Sequence, residues 1–242
     1  MRVPQVEGLI KRRILVNFRV DPAVIQKILP APFTPKLLGD AAVAGICLIR
    51  LEQIRPKGLP RLFGFSSENA AHRIAVEWKD KDGVAQEGVY IPRRDSSSLL
   101  NRLVGGRIFP GEHHYANFRI LDSDREIDFQ MKSQDGSAAV SFMGAQASAL
   151  PGSSRFASME AASAFFEKGA LGYSKTRDPS RLDGLYLKTK TWQVRPLDIK
   201  RVESSFFSNA AVFPRGSVVF DCALLMRDIE HEWVGAQDLG KA

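Results

Sequence analysis

The chain is poor in the residues that most often mark chemistry or cross-linking: its 242 residues include only two cysteines, four histidines and three tryptophans. Cys47 and Cys222 each sit inside an apolar run, where a thiol reads as a small hydrophobe, so no disulfide framework is expected. No segment approaches the roughly 20 consecutive apolar residues of a membrane-spanning helix. The opening stretch, MRVPQVEGLIKRR, has no apolar signal core, and a cytoplasmic protein with no membrane partner is expected. Neither G-x-G-x-x-G nor G-x-x-x-x-G-K-S/T occurs, which leaves nucleotide-dependent chemistry without a phosphate cradle, and no cofactor is expected. G-x-S-x-G, His-Glu-x-x-His and Cys-x-x-Cys are missing too, so a serine or cysteine hydrolase or a zinc centre has no motif to stand on.

What is present is the composition of an ordinary globular domain, 44% hydrophobic and 25% charged. A single domain over residues 1–242 is expected, large enough to bury about 70% of its unfolded surface without a staple. The net charge of +7 raises the question of nucleic acid. The only basic runs are Lys11-Arg12-Arg13 and Arg93-Arg94; elsewhere bases alternate with acids, as in Glu77 to Asp82. The charges are read as a solvated surface and no nucleic-acid partner is expected.

Periodicity favours strands. Ile127, Phe129 and Met131 alternate with Glu126, Asp128, Gln130 and Lys132; Ser133 to Gly136 supply turn chemistry, and Ala138, Val140 and Phe142 resume the alternation. Arg73 to Trp78, a turn at Asp80 to Gly83 and a return through Gly88 to Ile91 predict a second hairpin. Further strands are expected over Ala42 to Leu51, His114 to Leu121, Leu185 to Val194 and Ser217 to Met226. Asp21 before Pro22 and Ser158 before Met159 predict capped helices, and a third helix is expected over Ser97 to Leu103. With no βαβ alternation, the fold class is α+β: mostly antiparallel strands, closed or nearly closed around an interior, with a few peripheral helices.

Three groups of ionisable residues carry candidate chemistry. If one strand runs unbroken to Trp78, Glu68 shares the apolar face of Ala70, His72, Ile74, Val76 and Trp78 and points inward; a bulge near Asn69 would leave it at a surface edge. His113 and His114 are adjacent, so on a strand they face opposite sides, and no third metal ligand stands at a recognised spacing; no metal is expected. Lys188 and Lys190 share a face with Tyr186 and Trp192, either as amines whose pKa desolvation lowers or as solvated lysines.

The stretch Asn17-Phe18-Arg19-Val20-Asp21-Pro22, continuing through Ile28-Leu29-Pro30-Ala31-Pro32-Phe33, resembles the opening of acetoacetate decarboxylase. Ser67-Glu68-Asn69 is similar to the segment bearing that family's active-site glutamate, and Gly106-Arg107-Ile108-Phe109-Pro110 to its Gly-Arg-Glu element and aromatic-Pro pair. Leu121 to Asp124 and Phe142-Met143-Gly144 also find counterparts, in the same order, across residues 14–146. The C-terminal part is closer to the uncharacterised bacterial branch of this superfamily, the DUF2071 or YqjF-like group. The resemblance implies a β-barrel-like fold with a cavity and a homo-oligomeric assembly.

The decarboxylase carries a Lys-Lys pair directly after the aromatic-Pro element, whereas this chain has Gly111-Glu112 or, with an insertion, His113-His114. The Schiff-base amine has no match there, so acetoacetate decarboxylation by an imine is not expected. The resemblance implies Arg19, Arg107 and Glu112 as substrate-binding residues and Glu68 with His113 or His114 as proton-transfer groups. The expected ligand is a small carboxylate or carbonyl compound. Two classes stay open: a lyase using non-covalent acid-base chemistry, or a binding or regulatory module that keeps the cavity without chemistry.

Overall fold

The computed structural model describes residues 5–98, 111–123, 125–176, 178 and 180–240, and strands dominate it. The long ones are β1 (Val6–Val20), β4 (Ala41–Pro56), β5 (Phe65–Lys79), β6 (Ala85–Ser96) and β13 (Val218–Gly235). Between and around them lie β7 (His113–Asp122), β8 (Ile127–Ser133), β9 (Ala139–Gln146), β10 (Leu171–Lys175), β11 (Arg181–Thr189) and β12 (Arg195–Ser204). Short pieces β2 (Thr34–Pro35), β3 (Leu37–Leu38) and β14 (Leu239–Gly240) complete the described set.

Both hairpins form as expected: β8 pairs with β9 across a turn in which Gly136 takes φ 71°, and β5 pairs with β6. Helix α1 (Pro22–Gln26) starts where the Asp21 carboxylate accepts from the Ala23 N–H at 2.8 Å. Helix α2 (Met159–Glu167) starts where Ser158 Oγ accepts from the Ala161 N–H at 3.2 Å. The expected helix over Ser97 to Leu103 falls mostly outside the described residues. No described helix is long and apolar enough to cross a membrane.

Several expected boundaries move, two of them for reasons visible in the contacts. β11 ends at Thr189 rather than Val194, because the chain turns there: the Lys190 N–H bonds the Glu230 carbonyl, and Trp192 Nε1 donates to Ser163 on α2 at 3.0 Å. β13 runs on from Met226 to Gly235, since β1 continues to pair with it as far as Val6 opposite Trp233.

The described pairings are antiparallel except for β6 with β7 and β6 with β10. They close two rings that share a wall. One runs β6-β7-β8-β9-β12-β13-β1-β4-β5 and back to β6. The other leaves the shared wall β13-β1-β4-β5-β6 through β10 and returns through β11. Because strand residues alternate sides, each shared strand sends every second side chain into each ring.

The first ring is filled: Ile14, Ile46, Ile74, Tyr90, Ala116, Phe129, Phe142, Leu197 and Leu225, one from each of its strands, belong to a single buried cluster. Across the shared wall, Leu15, Val43, Ala75 and Leu224 pack with Ala162 and Phe166 of α2. The basic runs differ from the solvated surface expected of them. Arg12 and Arg13 are 4% and 8% exposed, and the Arg93 side chain is 13% exposed. Strand formation carries these arginines into the two interiors.

Candidate functional site: an arginine-lined cavity

The second ring holds a cavity of about 140 Å³. Each of its strands contributes to the lining: Arg13 and Leu15 from β1, Cys47 and Ile49 from β4, Asn69, Ala71 and Arg73 from β5, and Ile91 and Arg94 from β6. Gly172 comes from β10, Leu185 and Leu187 from β11 and Trp233 from β13, while Phe165 and Phe166 of α2 close one side. The walls are therefore largely apolar, with a few cations set in them.

Strand register fixes where those cations stand. Leu15, Cys47, Ala71, Arg94 and His113 form one row across β1, β4, β5, β6 and β7. The next row in one direction carries Asn17, Gly45 and Arg73; in the other it carries Arg13, Ile49 and Asn69. The three arginines thus stand around a floor of small lining residues, Cys47 and Ala71, and Gly45 leaves the room over which Arg73 crosses β4 to Asn17. Gly45 is required by close approach: a Cβ there would lie 2.2 Å from the Val16 carbonyl oxygen.

Each guanidinium is oriented by packing rather than by an acid. Arg73, 5% exposed, donates to the Asn17 amide oxygen and lies 4.9 Å from the centre of the Phe166 ring. Burial lowers its pKa to about 10, with repulsion from Arg13 acting in the same direction, so it remains a cation at neutral pH. Arg94 donates to Ser174 Oγ from Nε at 3.0 Å and Nη2 at 2.8 Å, and desolvation brings it to about 10 as well. Arg13 lies 5.6 Å from the Trp192 ring centre, and its Nε and Nη1 make no hydrogen bond. Among the described residues no carboxylate lies within ion-pair distance of Arg13, Arg73 or Arg94.

The other charges on the lining are neutralised. Asp95 accepts from Arg93 Nε at 2.9 Å and Nη2 at 2.8 Å; burial raises its pKa and the Arg93 pairing opposes that rise. Lys36 pairs with Glu87 and sits 4.3 Å from the Phe165 ring centre. Among the described residues no three His, Cys, Asp or Glu side chains converge on a metal position. The donors of this cavity are guanidinium N–H groups, which take anions.

The residues singled out from sequence are dispersed around this cavity. His113 lines it. Its neighbour His114 faces the other way and holds Asp135 at 3.2 Å from Nδ1. Glu112 is exposed, its N–H bonded to the Lys175 carbonyl. Arg107 lies outside the described residues.

Arg19 Nε is 3.2 Å from Asp221 of β13, which also accepts from Ser154 Oγ and the Arg155 N–H, so the arginine joins β1 to β13 and Asp221 ties both to the 154–155 segment. Glu68 lies on the face of β5 opposite Arg73, with no bulge at Asn69 in its pairing with β4. Arg12 meets it at 2.7 Å and Arg50 at 3.7 Å; burial raises its pKa and these arginines oppose the rise. Lys188 and Lys190 are exposed, and Lys190 pairs with Glu230.

Arg13, Arg73 and Arg94 were not among the sequence candidates. A signal existed: Arg73 falls between the small apolar residues Ala71 and Ala75 on one face, yet the complementary face of the strand drew attention because it is apolar.

Comparison with known proteins agrees with this architecture. Acetoacetate decarboxylase from Legionella pneumophila superposes with a TM-score of 0.57 at 13% identity, covering 97% of this chain and 88% of that one. The enduracididine biosynthesis enzyme MppR, complexed with pyruvate, gives 0.61 at 10% identity over 99% and 90%. An acetoacetate decarboxylase-like enzyme from Sphingomonas wittichii RW1 gives 0.57 at 12% over 97% and 92%. These likenesses concern the fold. No curated protein matches the chain. The model of the DUF2071 family, described as an uncharacterized conserved protein, matches residues 10–223, and the chain belongs to that family, on an acetoacetate decarboxylase-like fold.

Proposed function

We propose that this protein binds a small organic acid in the arginine-lined cavity. The observation that carries this reading is the set of three guanidiniums, Arg13, Arg73 and Arg94, without a carboxylate partner among the described residues. Cations held away from water are costly unless an anion completes them, and a guanidinium completes a carboxylate through two parallel hydrogen bonds. The apolar walls suit a short carbon skeleton. A fold relative complexed with pyruvate is consistent with an acid ligand.

The experiment is calorimetric titration of the full chain with pyruvate, acetoacetate and related keto and hydroxy acids, against an Arg73→Met/Arg94→Met double variant. Binding by the native chain and none by a folded double variant is the expected result. Equal binding by both would remove these arginines from the site.

Chemistry beyond binding falls to His113, which stands in the row of Arg94 on the cavity lining and carries an imidazole, a side chain used for general acid-base work. A non-covalent lyase step is the reading that uses it. The alternative, a module that binds without turnover, is favoured by the engagement of Arg19 and Glu68 in ion pairs away from the cavity. His113→Asn separates the two: in an enzyme turnover falls by about 10²–10⁴-fold while the acid still binds, whereas a module turns over none of the acids it binds.

A further inference from the structure

We infer that the acid held in this cavity is a short dicarboxylate. The inference rests on the acid-binding reading and deepens it. Its basis is charge balance across the lining. Asp95 is occupied by Arg93 and Lys36 by Glu87, so neither changes the sum. Arg13, Arg73 and Arg94 remain, three guanidiniums with no carboxylate partner among the described residues. One carboxylate fills one guanidinium fork or bridges two, which leaves at least one desolvated cation facing apolar side chains.

The placement divides these charges into two ends. Arg73 reaches from β5 past Gly45 on β4 to the Asn17 amide oxygen on β1, the strand that also carries Arg13. Arg94 leaves β6 in the other direction, to Ser174 Oγ on β10. Neighbouring strands are about 4.8 Å apart. The Arg13–Arg73 end and the Arg94 end therefore meet the cavity from different sides, with the small residues Cys47 and Ala71 between them. One carboxylate fits at Arg13 and Arg73, where Arg13 Nε and Nη1 lack a hydrogen-bond partner, and the second at Arg94.

Size sets the length of the ligand. A cavity near 150 Å³ accepts a molecule about the size of benzene, so one of about 140 Å³ admits a diacid of roughly four carbons. A phosphate group is the other common dianion, but its three oxygens call for donors converging on one point, as backbone nests provide. Here the donors are spread over three strands.

The test compares ligands matched in carbon count on the full chain by calorimetry at constant ionic strength and pH 7: succinate with butyrate, oxaloacetate with pyruvate, and inorganic phosphate. The expected result is that each diacid binds at least about tenfold more tightly than its monoacid, and that phosphate binds more weakly than either diacid. Arg94→Met should erase the preference, bringing succinate to within about threefold of butyrate, while Arg94→Lys keeps part of it.

Equal affinity for mono- and dicarboxylates overturns the inference and leaves the acid-binding reading standing. Tighter phosphate binding overturns it in favour of a phosphorylated ligand. Binding of none of the anions overturns both. The comparison between ligands on the unmodified chain decides the matter even if the methionine variant fails to fold.

Discussion

Arg12 and Arg13 are consecutive residues of β1 and belong to two differently built regions. Arg12 continues the face of Ile14 and Val16, toward the filled ring, and meets Glu68 at 2.7 Å and Asp122 at 3.1 Å; Arg227 and Arg50 bind the same two acids. Arg13 turns into the second ring, stacks on Trp192 and meets no acid among the described residues. The filled ring ends in a network in which each buried charge has an opposite, while the other ring leaves cations open. A buried guanidinium completed by the protein ties strands together; one left incomplete awaits a partner from outside.

The largest expected effect sharpens this contrast through stability. Arg12→Met leaves Glu68 and Asp122 partly desolvated without their shared cation and should cost about 3 kcal/mol, a fall in Tm of roughly 6–12 °C for a chain of this size. Arg13→Met and Arg73→Met each remove an uncompensated buried charge and keep most of the volume, so their Tm should hold or rise. Thermal unfolding of the three variants checks this, and an equal loss in all three would break the distinction between the regions.

Acid comes next in size and reaches both regions. Burial lowers His72, packed on Phe206, to about 3 and His231, beside Trp233, to about 4. Both are neutral in the folded chain at pH 6, whereas the unfolded chain takes up protons below about 6.5. Their effect on stability is therefore smallest above pH 6.5, and stability is lost as pH falls from there toward 4 and 3. Urea midpoints should drop across this window, and His72→Gln should flatten the slope. A midpoint independent of pH would mean that neither ring is closed to protons.

The smallest effects belong to the surface lysines. Lys190 is 72% exposed with Glu230 as partner, and Lys190→Ala should leave Tm unchanged within error. Borohydride treatment with β-keto and α-keto acids should give no mass gain, because Lys188 and Lys190 stand outside the cavity and Lys36 on its lining is held by Glu87. An adduct mapped to Lys36 would show that this ion pair opens.

The fold was legible where one face is apolar and the other polar. The β8–β9 hairpin announces itself through Ile127, Phe129 and Met131 and the Gly136 turn, and α1 and α2 through Asp21 and Ser158. β1 escaped because Lys11-Arg12-Arg13 breaks the alternation; a register irregularity beside Lys11 and the pairing of Lys11 with Asp228 account for the break. The candidate site was less legible for a related reason. In this fold both faces of the shared wall are interior, so a polar face does not mean solvent, and Arg73 and Arg94 read as surface until the second ring is known. Sequence order also kept Arg19 and Glu68 as a pair, although β1 and β5 carry them to separate ion pairs.

The shared wall is closed by a strand that comes late in the chain. β13, residues 218–235, pairs with both β1 and β11, and Val6 meets Trp233 across more than two hundred residues of sequence. Neither enclosure exists until that contact forms. A growing chain emerging from the ribosome can assemble its hairpins early, but it gains a compartment only when synthesis has passed β13. Such distant contacts slow folding, and during that interval Arg13, Arg73 and Arg94 stay hydrated, so an acid of the proposed kind would stabilise only the finished fold.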